Sequence, residues 1–197
     1  MLLGKVRGMQ NMKLPKVGRM PKLPDHLIAL ALLVCVVAGC KQLQSLASPT
    51  VLKSPDGKFQ LTVPGGWREN PSLNDKANIK AANPLEELYV IVITESKSDF
   101  TTEMTLDEFT NITRESIISN LVTPQATEPQ SITINGNDGR AYEVEGSIKN
   151  VKLAYRVATV ETPEHYHQVI TWTLLSRKEK NQPALQKVID SFRTTAP

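Results

Sequence analysis

The chain has 197 residues, 40% of them hydrophobic and 22% charged, which fits one globular domain with a leader and excludes a fully disordered protein. The formal charge of +3 is unevenly spread: six of the 23 bases and one of the 20 acids precede Cys40, leaving 17 bases against 19 acids after it. The part that folds is therefore near neutral and lacks the dense basic face by which proteins neutralise nucleic-acid phosphates, so no nucleic-acid partner is expected.

The first element is an uncharged run from Leu27 to Val37, preceded by Lys5, Arg7, Lys13, Lys16, Arg19 and Lys22. Eleven residues are too few to cross a hydrocarbon core, which takes about 20 in a helix. They do match the apolar segment of a secretory signal, about 7–15 residues long. The run leads into Val37-Ala38-Gly39-Cys40, which resembles the lipobox of bacterial lipoproteins. That resemblance implies cleavage between Gly39 and Cys40, a diacylglycerol on the Cys40 sulfur, and in some hosts a third chain on the freed amine. Two or more acyl chains anchor a protein stably where one does not. The competing readings are a short buried helix or an ordinary secretory signal, and the small pair before Cys40 with polar Lys41-Gln42 after it argues against both. Residues 1–39 are thus read as a signal peptide. Its basic portion is long, and Met20 opens a more usual one, so translation is expected to start at Met20, with Met9 and Met12 as alternatives. The only cysteines are Cys35 and Cys40, so the mature chain keeps one and can form neither an internal disulfide nor a cysteine-ligated zinc site.

Residues 40–50 follow as lipidated cysteine and short polar tether, and 51–197 as a single domain. Ser54-Pro55-Asp56-Gly57 is turn chemistry, since proline presets φ and glycine accepts a positive one. Phe59, Leu61 and Val63 then alternate with polar residues as in a half-buried strand, which Pro64-Gly65-Gly66 breaks before Trp67, a candidate core anchor. Ala77 to Ala82 reads as a short strand and Leu88 to Ile93 as a central one, rich in β-branched residues. Thr105 to Leu121 has helical spacing at Leu106, Phe109, Ile112, Ile117 and Leu121, with Thr105 and Glu108 placed as a capping box. Pro124 and Pro129 bracket a loop. Ile132 and Ile134 then alternate before a hairpin loop at Asn135 to Gly139. Three longer strands follow over Ala141–Ile148, Leu153–Val160 and Tyr166–Leu174, with Gly146 and the Asn150 region supplying turns. A last helix opens near Pro183, with Leu185, Val188, Ile189 and Phe192 as its apolar stripe. Helices set apart from a continuous antiparallel meander make the fold class α+β, an antiparallel sheet flanked by two main helices.

Candidate chemistry is sparse. His165 and His167 flank Tyr166, and strand alternation turns both imidazoles to one side, where they could meet a metal. Zinc sites use three or four protein ligands, and only these two lie close in sequence, so the pair reads instead as part of a solvated polar turn. No metal and no cofactor are expected. No serine sits in a Gly-x-Ser-x-Gly elbow, and His26 leaves with the leader, so a hydrolase would have to rely on His165 or His167. Asn137-Asp138-Gly139 lacks the spacing of a calcium loop, and Pro64-Gly65-Gly66-Trp67 lacks the lysine of a phosphate loop. The aromatic set Trp67, Tyr142, Tyr155, Tyr166 and Trp172 reads as core or cross-strand pairs, with a ligand groove as the alternative.

Taken together, several segments resemble the PsbP/Mog-like fold. They are Ser54 to Phe59, Val63-Pro64-Gly65-Gly66-Trp67, the strand Leu88–Ile93, the helix from Leu106, Gly139-Arg140-Ala141-Tyr142, and Val188 to Phe192. The resemblance spans Val51 to Thr195 and implies a non-enzymatic binding or assembly module, since its members share a shape and differ in task. The expected protein is a lipoprotein anchored in the cell membrane or outer membrane, its domain on the extracytoplasmic side, docking a protein partner of the envelope. Lys41 after the acylated residue leans toward the outer membrane, by resemblance to enterobacterial sorting. The alternatives are a carrier of a small hydrophobic ligand held between sheet and helix, or a hydrolase using His165 or His167.

Overall fold

A computed structural model describes residues 48–195. The signal segment, the start at Met20, the Gly39–Cys40 junction and the tether up to residue 47 lie outside the described residues.

In chain order the described elements are β1 (Thr50–Lys53), β2 (Phe59–Val63), β3 (Arg68–Glu69), β4 (Ile79–Asn83) and β5 (Leu88–Ser96). Then come α1 (Leu106–Ser119), β6 (Val122–Ala126), β7 (Gln130–Ile134), β8 (Asn137–Ile148), β9 (Val151–Glu161) and β10 (His165–Leu174). The chain closes with α2 (Lys178–Asp190) and β11 (Arg193–Thr194). The central sheet runs β3-β4-β5-β10-β9-β8-β6, with β7 also paired to β8, and all its described pairings are antiparallel. A smaller sheet, β1-β2-β11, packs with α2 on one face, and α1 lies on the other. The fold is α+β, as expected from the sequence.

Period-two alternation explains the layers. On β5, Leu88, Val90 and Val92 join Val169, Ala158, Phe59, Leu61, Val188 and Phe192 in the larger core beneath α2. Ile91 and Ile93 turn the opposite way, with Ile170, Val157, Tyr142 and Val144, toward α1. Both faces of the central strands thus carry apolar residues, which is why Leu88–Ile93 shows no clean alternation in the sequence.

Local chemistry sets the boundaries. Thr105 caps α1 as expected: its Oγ1 accepts from the Glu108 amide at 3.2 Å, and the Glu108 carboxylate accepts from the Thr105 amide at 2.8 Å. The stripe differs from expectation at one position, since Ile112 is 57% exposed while Thr110 and Thr113 are buried. Thr110 can be inside because its hydroxyl donates to Leu106 O at 2.7 Å and meets Thr159 Oγ1 at 2.6 Å. The segment between Pro124 and Pro129 is not a plain loop: residues 122–126 form β6. Proline is tolerated there because β6 is an edge strand whose register shifts between Val122 and Gln125, leaving unpaired positions. Gly146 lies inside β8 and makes no turn; the turn is Lys149-Asn150, at φ +48° and +68°. Gly146 is needed for closeness, since a Cβ there would stand 2.9 Å from Leu121 Cβ. Finally, α2 begins five residues before Pro183, which sits in its interior. The missing proline N–H costs one bond to Glu179, while buried Asn181 fixes the helix by donating to Glu86 O and Thr173 Oγ1, both at 2.8 Å.

Candidate functional site

The register places both helices and the sheet ends. One end of the central sheet carries the β4–β5 turn, the β8–β9 turn and the close of β10, because Asn83 pairs with Leu88, Ile148 with Val151, and Leu174 with Leu153. This is called the near end below, and the opposite end, where His165 pairs with Ser96, the far end. Helix α1 starts at the far end, where Phe109 stacks on Tyr166 at 4.6 Å. It finishes at the near end, where Leu121 packs on Gly146.

Because α1 lies over β8 and β9, it leaves the same face of β5 and β10 uncovered. The result is an open groove of about 600 Å³, well within the size of small-molecule sites. Ile91, Ile170, Trp172 and Tyr155 form its floor, and Thr113 and Ile117 of α1 its wall. Ile148, Lys149 and Val151 from the β8–β9 turn stand at its near end. Lys149 is the one charged residue among the described lining residues. Trp172 is held flat on the floor by Tyr89, whose ring stacks at 5.2 Å and 10°, with Tyr155 tilted beside it at 6.1 Å. The Tyr89 hydroxyl donates to Glu87 at 2.7 Å, and burial together with that carboxylate pushes its pKa up to about 12. The ring pair is thus a rigid apolar platform.

The five aromatic residues singled out in the sequence divide here. Trp67, Tyr142 and Tyr166 are core residues, whereas Tyr155 and Trp172 line the groove. Tyr142 is buried enough to push its pKa up to about 12. The division was not legible in the sequence, where all five sit in or beside strands with similar neighbours.

The structure places the histidines at the far end of the other face. Their rings are 5.9 Å apart, so alternation does bring them to one side. The expected solvated turn fails for His167, which is 2% exposed and packed between Phe59 and Phe192, each 5.0 Å away. Thr94 Oγ1 lies 2.9 Å from its Nδ1 and Thr162 Oγ1 3.3 Å from its Nε2, so both nitrogens already have partners. Burial, with a smaller contribution from His165, pushes the His167 pKa down to about 4. No group of three or more His, Cys, Asp or Glu that could hold a metal occurs among the described residues.

A second hollow, of about 380 Å³, lies at the far end beside Lys97, Glu161, Met104 and Tyr166. Lys97 and Glu161 pair there at 2.6 Å, and the ammonium also stands 4.9 Å from the Tyr166 ring centroid. The Tyr166 hydroxyl donates to Met104 O, which ties the segment before α1 to β10. These contacts engage Lys97, Glu161 and the Tyr166 hydroxyl, so this hollow reads as a structural joint.

The fold is similar to that of solved proteins. The solution structure of cyanobacterial PsbP (CyanoP) from Synechocystis sp. PCC 6803 matches with a TM-score of 0.57 at 12% identity, over 76% of this chain and 94% of that one. The crystal structure of LpqN, described as involved in cell envelope biogenesis of Mycobacterium tuberculosis, matches with a TM-score of 0.55 at 16% identity, over 75% and 91%. No protein-family model and no curated protein matches the sequence. At these identities the likeness establishes a PsbP-like fold and nothing about task.

Proposed function

We propose that the chain is a membrane-anchored lipoprotein of the cell envelope whose domain is a non-catalytic binding module, working through the groove between α1 and the exposed face of β5 and β10. The observation that carries this reading is the groove itself: an open apolar floor with a fixed Tyr89–Trp172 platform and a single charge at one end. A concave apolar site with few polar groups is the usual form of a binding site. The lipobox-like Val37-Ala38-Gly39-Cys40 supplies the anchor, and the involvement of LpqN in cell envelope biogenesis supports the setting. His167 is buried with both ring nitrogens partnered, and both histidines lie on the face opposite the groove, which supports a non-catalytic reading of it.

A second reading is favoured by the groove's volume: the occupant is a small hydrophobic ligand and the module its carrier. One experiment separates the two. A photocrosslinking side chain at Ile117, on the groove wall, is expected to capture a discrete adduct in intact cells, while the same probe at Val51 on β1 captures none. An adduct tens of kilodaltons heavier means a protein partner, and one of lipid-like mass means a carried ligand. Equal labelling from both positions contradicts the groove as a working surface.

A further inference from the structure

Six large hydrophobic residues are exposed among the described ones, and they are not scattered. Leu85 (89%), Val122 (65%), Val151 (46%) and Ile148 (38%) all lie at the near end of the central sheet. The register shows it: Leu85 is in the β4–β5 turn, Ile148 and Val151 flank the β8–β9 turn, and Val122 pairs with Ser147 beside them. Isolated exposed aliphatics need no explanation, but a group on one edge does.

The same end is basic. Lys149 occupies the tip of the β8–β9 turn and Lys152 is the second residue of β9, both exposed, and neither enters an ion pair or side-chain hydrogen bond among the described residues. Among the nearby acids Glu179, in the first turn of α2, is exposed, and three others have partners. Glu86 is paired with Lys180 at 2.5 Å, Glu87 accepts from Tyr89, and Glu145 is paired with Lys178 at 2.8 Å. At the turn, Lys149 and Asn150 both hold positive φ without a glycine, so a lysine stands where glycine would cost the backbone least.

The entry of the chain points the same way. Gly66 packs on the Asn83 side chain, beside the β4–β5 turn, which brings the end of β2 to the near end. Val63, three residues earlier, pairs with Thr50, the first residue of β1. The ten residues from Cys40 to Thr50 reach at most about 35 Å when fully extended.

We propose that this end, where Leu85, Ile148 and Val151 are exposed beside Lys149 and Lys152, docks onto the surface of a bilayer rich in anionic lipid. The occupant follows from the chemistry: aliphatic tips enter the headgroup boundary, the lysines meet anionic headgroups, and a tether from the same end keeps the bilayer within reach. Docking also sets the groove at the lipid boundary, since Ile148, Lys149 and Val151 line its near end. The proposal rests on the anchored reading above.

The test uses the mature lipidated protein reconstituted in vesicles of neutral phosphatidylcholine alone or with about 30% anionic phosphatidylglycerol, a charge density at which surface lysines bind. Nitroxide labels are placed by Leu85→Cys, Ile148→Cys and, as a far-end control, Glu164→Cys. In anionic vesicles the labels at 85 and 148 should gain collisions with oxygen and lose them with a water-soluble nickel chelate, while 164 stays wet. Adding Lys149→Gln and Lys152→Gln should shift the docked-to-free ratio about 30-fold toward free. If the protein floats with vesicles of either kind but 85 and 148 are as wet as 164, docking is refuted and the anchor stands. If it does not float with neutral vesicles, the anchor fails and the proposal with it.

Discussion

Replacing Phe109 by alanine is expected to destabilise the domain by about 3–5 kcal/mol, the largest loss of any single truncation on the groove side. Phe109 is fully buried, stacks on Tyr166 at 4.6 Å and 18°, and meets the edge of Phe100 at 6.2 Å. Leu106 completes this small cluster, which is separate from the two larger cores and fixes the start of α1. Truncation leaves a cavity between helix and β10 that the neighbours cannot close, because Tyr166 is held through its hydroxyl by Met104 O. Since domains are stable by only about 5–15 kcal/mol, that is a large share of the total. Ile112→Ala on the same helix, at an exposed position, should change stability by no more than about 0.5 kcal/mol. Urea unfolding measures both. A loss below 1 kcal/mol at Phe109 would mean that α1 is not fixed to the sheet through this cluster. The groove, whose wall is α1, would then have to be drawn again.

The second large effect is acid sensitivity from His167. In the unfolded chain its imidazole titrates near 6.5, while in the fold burial holds it at about 4. Between those values the unfolded chain carries the proton and the folded chain does not, so falling pH favours unfolding. The contribution is complete above pH 6.5, declines as pH drops, and is gone by about pH 4. It totals about 3 kcal/mol. Carboxylates held low by hydrogen bonds, such as Asp56 through Ser54, also lose stability in acid but only at lower pH. His167→Leu should therefore be less stable at pH 7, through the loss of the Thr94 and Thr162 contacts, yet show a flatter profile from pH 6.5 to 4. A variant whose profile parallels the parent's across that window would show that His167 is not the group responsible.

Much of the fold can be read from local chemistry. The capping box at Thr105 and Glu108, the Ser54–Gly57 turn and the β-branched run Leu88–Ile93 each specify their element without help from the rest of the chain. What escaped were features set by tertiary contact. Pro124 argues against a strand until an edge position with an irregular register makes room for it. Gly146 looks like a turn residue until Leu121 is seen lying on it. His167 looks solvated beside Pro163 and Glu164, and only Phe59 and Phe192, more than twenty residues away in each direction, bury it. A groove between sheet and helix was an alternative reading of the aromatic set, but its place was hidden, because no residue pattern marks which strands α1 fails to cover. The clustering of Leu85, Ile148 and Val151 likewise appears only once the strands are put in register.

The account turns on the residue at position 40. Intact-mass measurement of the mature protein extracted from membranes tests it directly. The expected species begins at Cys40 and is heavier than the polypeptide by a diacylglycerol, with or without a further acyl chain. A mature form of bare polypeptide mass, or one that begins upstream of Cys40, would contradict it.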